Sequence, residues 1–224
     1  MKNAAKNLYS YILVGVFIIM ACGCVTKVTY NVSLKSVESP ADAKTQFGET
    51  KIVSFMDEAA AITKYSFADD FIDITWFVDS CQFNFSLVNK SNHTIKINWD
   101  DISYVNYNGQ TGRVMHTGVK YSEKNDSQPS TPVPRGASIT DILLPTDNVS
   151  FSLYSNGWHE QPLIPCIFKK KEADAAASEY VGKTMTILLP IYIENVQNDY
   201  IFIFSIDSYD YPQKQKSEDI TLFR

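Results

Sequence analysis

"FIDITWFVDSCQFNFSLVNKSNHTIKINW", residues Phe71 to Trp99, carries the pattern that decides the fold. Ile72, Ile74, Trp76 and Val78 alternate with Phe71, Asp73, Thr75 and Phe77, and after a turn at Asp79 and Ser80 the same period of two resumes through Phe83, Phe85 and Leu87. Side chains on a strand point alternately to opposite faces, so this spacing predicts strands buried on one side. Asn89 to Asn92 has turn chemistry, and Ile95, Ile97 and Trp99 restart the alternation. The stretch is expected to form a three-stranded β-meander.

Working outward, "SYVNYNGQTGRVMH" predicts a hairpin about Asn108-Gly109, a pair that tolerates positive φ. Short strands are expected at Ile139 to Leu144 and at Val149 to Tyr154, and "TMTILLPIYIENVQNDYIFIFSIDSY" closes the chain with two apolar strands about the turn "ENVQND". On the N-terminal side Val28, Tyr30, Val32 and Leu34 alternate as another strand. "ESPADAKTQFGET", broken by Pro40 and Gly48, reads as a tether, and "MDEAAAITKY" as a helical turn or the approach to a strand from Ile62. "KKKEADAAASEY", free of Gly and Pro, is the best helix candidate. Many strands at short spacing with one or two short helices predict a mainly β chain. We expect an immunoglobulin-like antiparallel β-sandwich over residues 61–224, a strand and tether over 22–60, and a signal peptide over 1–21.

Composition agrees with a folded globular domain. The 224 residues are 45% hydrophobic and 20% charged, with 13 Tyr and 13 Phe against 9 Gly, which excludes a disordered chain and a multi-span membrane protein. Twenty basic against 25 acidic side chains give a formal charge of -5, so a nucleic-acid partner is not expected.

The N-terminus supplies the strongest functional signal. Lys2 and Lys6 precede an apolar stretch, "YILVGVFIIMA", and no further charge appears before Lys27, the layout of a secretory signal peptide. An uncleaved span needs about 20 apolar residues, and Asn7, Ser10 and Tyr11 dilute the front of this one. "Ile19-Met20-Ala21-Cys22" resembles the lipobox of bacterial lipoproteins, and "Ala21-Cys22-Gly23-Cys24" is a second match. The resemblance implies that a cysteine, Cys22 or alternatively Cys24, is joined to diacylglycerol after cleavage by signal peptidase II. It also implies that Gly23, where Asp would favour inner-membrane retention, permits passage to the outer membrane, facing the periplasm or the cell surface. Segments such as "NKSNHTIKINWDD", "RVMHTGVKY" and "LLPTDNV" further resemble envelope lipoproteins of unassigned activity with immunoglobulin-like domains, from about Phe71 to Asp207. That resemblance implies no chemistry.

The two remaining cysteines, Cys81 and Cys166, are a candidate disulfide in an exported protein, or else two separate buried thiols. No catalytic, cofactor or metal site is expected. Gly182-Lys183-Thr184 mimics the end of a P-loop, but Ala177 stands where its first glycine belongs and an apolar strand follows. His93, His116 and His159 lie in separate segments without zinc-ligand spacing, and Asp100, Asp101, Asp141 and Asp147 lack the spacing of a calcium loop. His159 and Glu160 adjoin in "GWHEQ" with no GxSxG elbow anywhere. Arg113, His116 and Lys120 could form a small basic patch or a solvated hairpin face. The expected function is a membrane-anchored, nonenzymatic envelope lipoprotein that binds an envelope protein partner or assists assembly. The alternative is a lipid-anchored small-ligand-binding protein or hydrolase with a site built from loops Ser122 to Ser138 and Tyr154 to Pro162.

Overall fold

A computed structural model describes residues 25–38, 51–58 and 62–211. Cys22, Cys24, the signal peptide and the Pro40 to Gly48 segment lie outside the described residues. Sixteen strands are described: β1 (Val25–Lys27), β2 (Thr29–Glu38), β3 (Lys51–Asp57), β4 (Ile62–Ala68), β5 (Ile72–Val78), β6 (Phe83–Asn89), β7 (Ile95–Ile97), β8 (Ser103–Val105), β9 (Thr111–Met115), β10 (Thr131–Val133), β11 (Ser138–Pro145), β12 (Val149–Ser152), β13 (Gly157–Glu160), β14 (Ile167–Lys169), β15 (Thr184–Ile193) and β16 (Val196–Asp210). The described α-helix, α1, is short, Ala173–Ser178. The protein is therefore mainly β, and its antiparallel strands curl into a half-barrel.

One wall of the half-barrel runs β3-β4-β5-β6-β11, and the other is built on the long β15-β16 pair with β2 at its outer side. They join where β11 turns from β6 to β9, pairing Leu144 with Met115 and Pro145 with Val114. The alternation read from Phe71 onward sets the core: Ile72, Ile74, Trp76, Phe83, Phe85 and Leu87 are all buried. They meet Tyr200, Phe202 and Phe204 of β16, which have the same period. Trp76 lies 4.9 Å from Phe202 and 5.6 Å from Phe204 between ring centroids, and Phe83 lies 5.0 Å from Phe204. Aromatic rings at such spacing add edge and tilted contacts to the apolar area they remove from water.

Two expectations are corrected. The meander ends after two strands: β6 takes β11 as its second neighbour, while β7 crosses to the other wall and pairs with β15 and β10. The cause is the turn after β6, where the buried Asn89 side chain donates to the carbonyls of His93 and Val133 and its Oδ1 accepts from Ser91. A polar side chain spanning that crossing satisfies the backbone that a hairpin would otherwise have paired. Of the two readings of "MDEAAAITKY", the strand from Ile62 is present, Ile62 to Ala68 pairing with β3 and its second half with β5, while residues 59–61 lie outside the described residues. The second correction is that "KKKEADAAASEY" is helical only from Ala173; Lys169 ends β14, and Lys170 and Lys171 form a turn. The expected hairpin at Asn108-Gly109 is present between β8 and β9, with Gly109 at φ 78°.

Candidate functional site

The β12-β13 hairpin is the most conspicuous surface feature. It pairs Val149 with Glu160 through Ser152 with Gly157, and Asn156, at φ 48°, supplies the left-handed residue that lets Leu153 to Asn156 turn back. Side chains that a core would bury are here turned to water: Leu153 is 89% exposed, Tyr154 fully so, and Phe151 and Trp158 nearly half. Phe151 and Trp158 oppose each other in register with centroids 5.5 Å apart, and Tyr121 packs edge-on against Trp158 at 6.0 Å. The Tyr121 hydroxyl donates to Glu160, which raises its pKa and ties the hairpin's foot to the domain. The foot is further held by Lys124, whose ammonium donates to the carbonyls of Thr146 and Val149, and by a small core of Met115, Leu144 and Val149. An aromatic, water-exposed hairpin fixed at its foot is the kind of surface that protein interfaces use, since Tyr and Trp bring large contact area at little entropic cost.

His159 sits on this hairpin with its Nε2 2.5 Å from Ser155 Oγ. The pair resembles a nucleophile and base in distance alone. Glu160, the neighbouring carboxylate, is engaged by Tyr121 instead, and Ser155 and His159 are both exposed to water.

A cavity of about 320 Å³ opens elsewhere, between the start of β2, the β5-β6 turn and the segment 162–166, with Tyr30, Asp79, Leu163, Ile164, Cys166 and Met185 among its lining. Burial raises the Tyr30 phenol strongly, and its hydroxyl donates to the Pro165 carbonyl. Burial also pushes the Cys166 thiol up. Cys81, within the β5-β6 turn, packs against the Met115 and Leu144 cluster and lies near enough to Cys166 to add to the rise of its pKa, and both cysteines are free thiols in the structure.

The structure disperses the other candidate residues. His93 contacts Glu194 at 2.8 Å, and His116 stacks on Trp99 at 4.0 Å with its Nδ1 3.3 Å from Asp141. Among the described residues no group of three or more His, Cys, Asp or Glu side chains could hold a metal ion. The Arg113, His116 and Lys120 patch does not gather: Arg113 donates to Asp100 and to the carbonyls of Asn125 and Asp126, and Lys120 pairs with Glu123. Asp100 also accepts from Ser127 and the Gln128 amide, and the Ser127 hydrogen bond is the main reason its pKa is lowered. These contacts pin the long loop Ser122 to Ser138. A surface hollow of about 310 Å³ beside that loop is lined by His116, Glu123 and Asp126 but by none of Tyr154 to Pro162.

The sequence points to the loop Tyr154 to Pro162 as part of a ligand site, but not to Leu153 and Tyr154 as an exposed apolar tip. The signal for it was present in Asn156-Gly157 flanked by Phe151 and Trp158, but exposure of apolar residues is not visible in their spacing.

The chain matches no protein-family model and no curated protein. Among solved structures it is similar to the X-ray structure of Northeast Structural Genomics Consortium target SoR45, at 8% identity over 84% of this chain and 95% of that one, with a TM-score of 0.23. So slight a likeness carries no argument about fold or function. Among the described residues no helix is long and apolar enough to cross a membrane.

Proposed function

We propose that this protein is a lipid-anchored, nonenzymatic lipoprotein of the bacterial cell envelope whose β domain docks a partner protein through the β12-β13 hairpin. The observation that carries the reading is the hairpin tip itself: Leu153 and Tyr154 stand in water on a support fixed by Trp158, Phe151 and Tyr121. The lipobox at Cys22, or alternatively Cys24, supports an anchor in the outer membrane. An immunoglobulin-like sandwich is the finer reading of the curled sheet, supported by the meeting of Trp76 and Phe83 with Phe202 and Phe204 across its two walls. In this reading the domain is a rigid presenter, and recognition rests on aromatic anchors at one end.

Two measurements test it. Mass spectrometry of the mature N-terminal peptide from native membranes should find Cys22 or Cys24 acylated at the new terminus; an intact Met1 overturns the anchor. A photocrosslinking side chain at Tyr154 in living cells should give a discrete protein adduct that disappears in Leu153→Ser/Trp158→Ala, while the same group at Lys96 gives none. Adducts only to lipid, or adducts indifferent to the double substitution, overturn the docking role.

A second reading, a small-ligand site, is favoured by the cavity of about 320 Å³ beside Tyr30 and Cys166. Saturable quenching of thiol labelling at Cys166 by envelope extract would distinguish it.

A further inference from the structure

The first strand after the lipobox forms a separate two-stranded ribbon with β14, pairing Val25 with Lys169 and Lys27 with Ile167. Directly opposed residues of an antiparallel pair share a face, and the period of two puts Val25 with Lys27 and Ile167 with Lys169 on the same one. That face is exposed throughout: Val25 is 66% and Ile167 65% exposed, and both lysines face water, whereas Thr26 and Phe168 between them are partly covered. The ribbon therefore presents two aliphatic and two ammonium side chains in a diagonal checkerboard. Lys170 and Lys171 extend it, both exposed.

Four lysines at one edge of a chain of formal charge -5 form a local reversal of sign. None of the four has a carboxylate in ion-pair contact among the described residues. The nearby acids are Glu172, which is exposed, Asp79 across the cavity, and Asp174 and Asp210, whose carboxylates accept from Tyr209 and Tyr211 and from Asn31. Covalent reach fixes where this face works. Val25 follows Cys24 directly and Cys22 by three residues, so at about 3.3–3.6 Å per residue the ribbon lies no more than roughly 11 Å of chain from either candidate lipid-bearing residue.

Resting on the lipoprotein reading, we propose that the outer face of the β1-β14 ribbon seats on the anchoring bilayer, with Lys27, Lys169, Lys170 and Lys171 against lipid phosphates and Val25 and Ile167 among the upper acyl carbons. Long lysine stems suit this, since their methylenes lie along apolar surface while the ammonium reaches the headgroup. Acyl chains confine the protein to the membrane, and a basic patch adds attraction to anionic lipid. The ribbon thereby fixes the domain's attitude and, through the short segment 161–166, the height at which the β12-β13 hairpin is held.

The test uses the full chain, reconstituted in vesicles of phosphatidylcholine alone or of phosphatidylcholine mixed equally with phosphatidylglycerol. Amine labelling is read residue by residue by mass spectrometry. Lys27 and Lys169 to Lys171 should be labelled roughly threefold or more slowly in the anionic vesicles, while the exposed Lys35 and Lys96 are unchanged. About 0.5 M salt should restore labelling, since screening shortens the reach of the attraction. In the Lys169→Glu/Lys170→Glu/Lys171→Glu variant, Lys27 should lose its dependence on lipid. Equal labelling in the two vesicles overturns the seat, as does equal protection by inorganic phosphate in neutral detergent, which marks a free-phosphate site. The N-terminal mass separates the two claims: acylation without protection leaves the anchor standing and removes the seat, and protection without acylation does the reverse.

Discussion

Asp69 and Tyr200 meet inside the half-barrel, the Tyr200 hydroxyl donating to Asp69 Oδ2 at 2.8 Å with both residues buried. The other carboxylate oxygen of Asp69 accepts the backbone amides of Phe71 and Ile72, and Lys90 donates to its carbonyl. One buried side chain thus organises the entry to β5 and links the two walls. Tyr200→Phe removes a donor from a buried carboxylate, and leaving such a group short of a partner costs on the order of 1–3 kcal/mol. Urea denaturation should show that loss, and an unchanged midpoint would refute the linkage.

Burial raises the pKa of Tyr200 and of Tyr104 from the ordinary 10.0. The unfolded chain then releases these phenolic protons at lower pH than the folded one. Their contribution is fully present below about pH 10 and is lost as pH rises beyond it through the folded values. The part of the tyrosinate absorbance that comes from buried residues should therefore appear together with alkaline unfolding. Tyrosinate appearing for all residues before circular dichroism changes would contradict the burial argument.

The β5 and β6 strands were legible because burial on one face leaves a period of two that nothing else in a sequence imitates, and Ile74, Trp76, Phe85 and Leu87 lie inside as that period requires. The neighbour of β6 was not, since pairing is settled by Asn89 reaching His93 and Val133, and an Asn in a turn reads the same whether the chain doubles back or crosses. The lysine run at Lys169 reads as helix from its alanine, lysine and glutamate content. What makes it strand at its start is pairing with Val25, a contact between distant parts of the chain that local propensity does not encode. The hairpin tip shares this limit: Leu153 and Tyr154 look like core residues until the fold leaves them outside.

Trp76 fills the middle of the core, yet its indole Nε1 is buried without a hydrogen-bond partner among the described residues. Trp76→Ala should cost about 3–5 kcal/mol through lost burial and the cavity left beside Phe202 and Phe204. Trp76→Phe should cost much less, because it removes the unpaired donor together with part of the ring. Chemical denaturation of both variants checks the order, and equal losses would show that the indole N–H plays no part.

The contacts of Asp100 hold the Ser122 to Ser138 loop from one point. Asp100 accepts Arg113 at 2.8 Å, Ser127 at 2.5 Å and the Gln128 amide, while the buried Gln128 side chain fastens the loop to the Val114 carbonyl. The lowered folded pKa fixes the sign: the carboxylate favours the pinned loop above its ordinary value of 3.8, and the benefit fades as pH falls through the lower folded value. Asp100→Ala should leave the core strands intact, since the residue lies outside the packed walls, but should open the loop to proteolysis near Asn125 and Asp126 at neutral pH. Wild-type protein should reach comparable cleavage only in strong acid, using a protease active in both ranges. Cleavage of wild type and variant at equal rates near neutrality would show that the loop is held by Gln128 without help from Asp100.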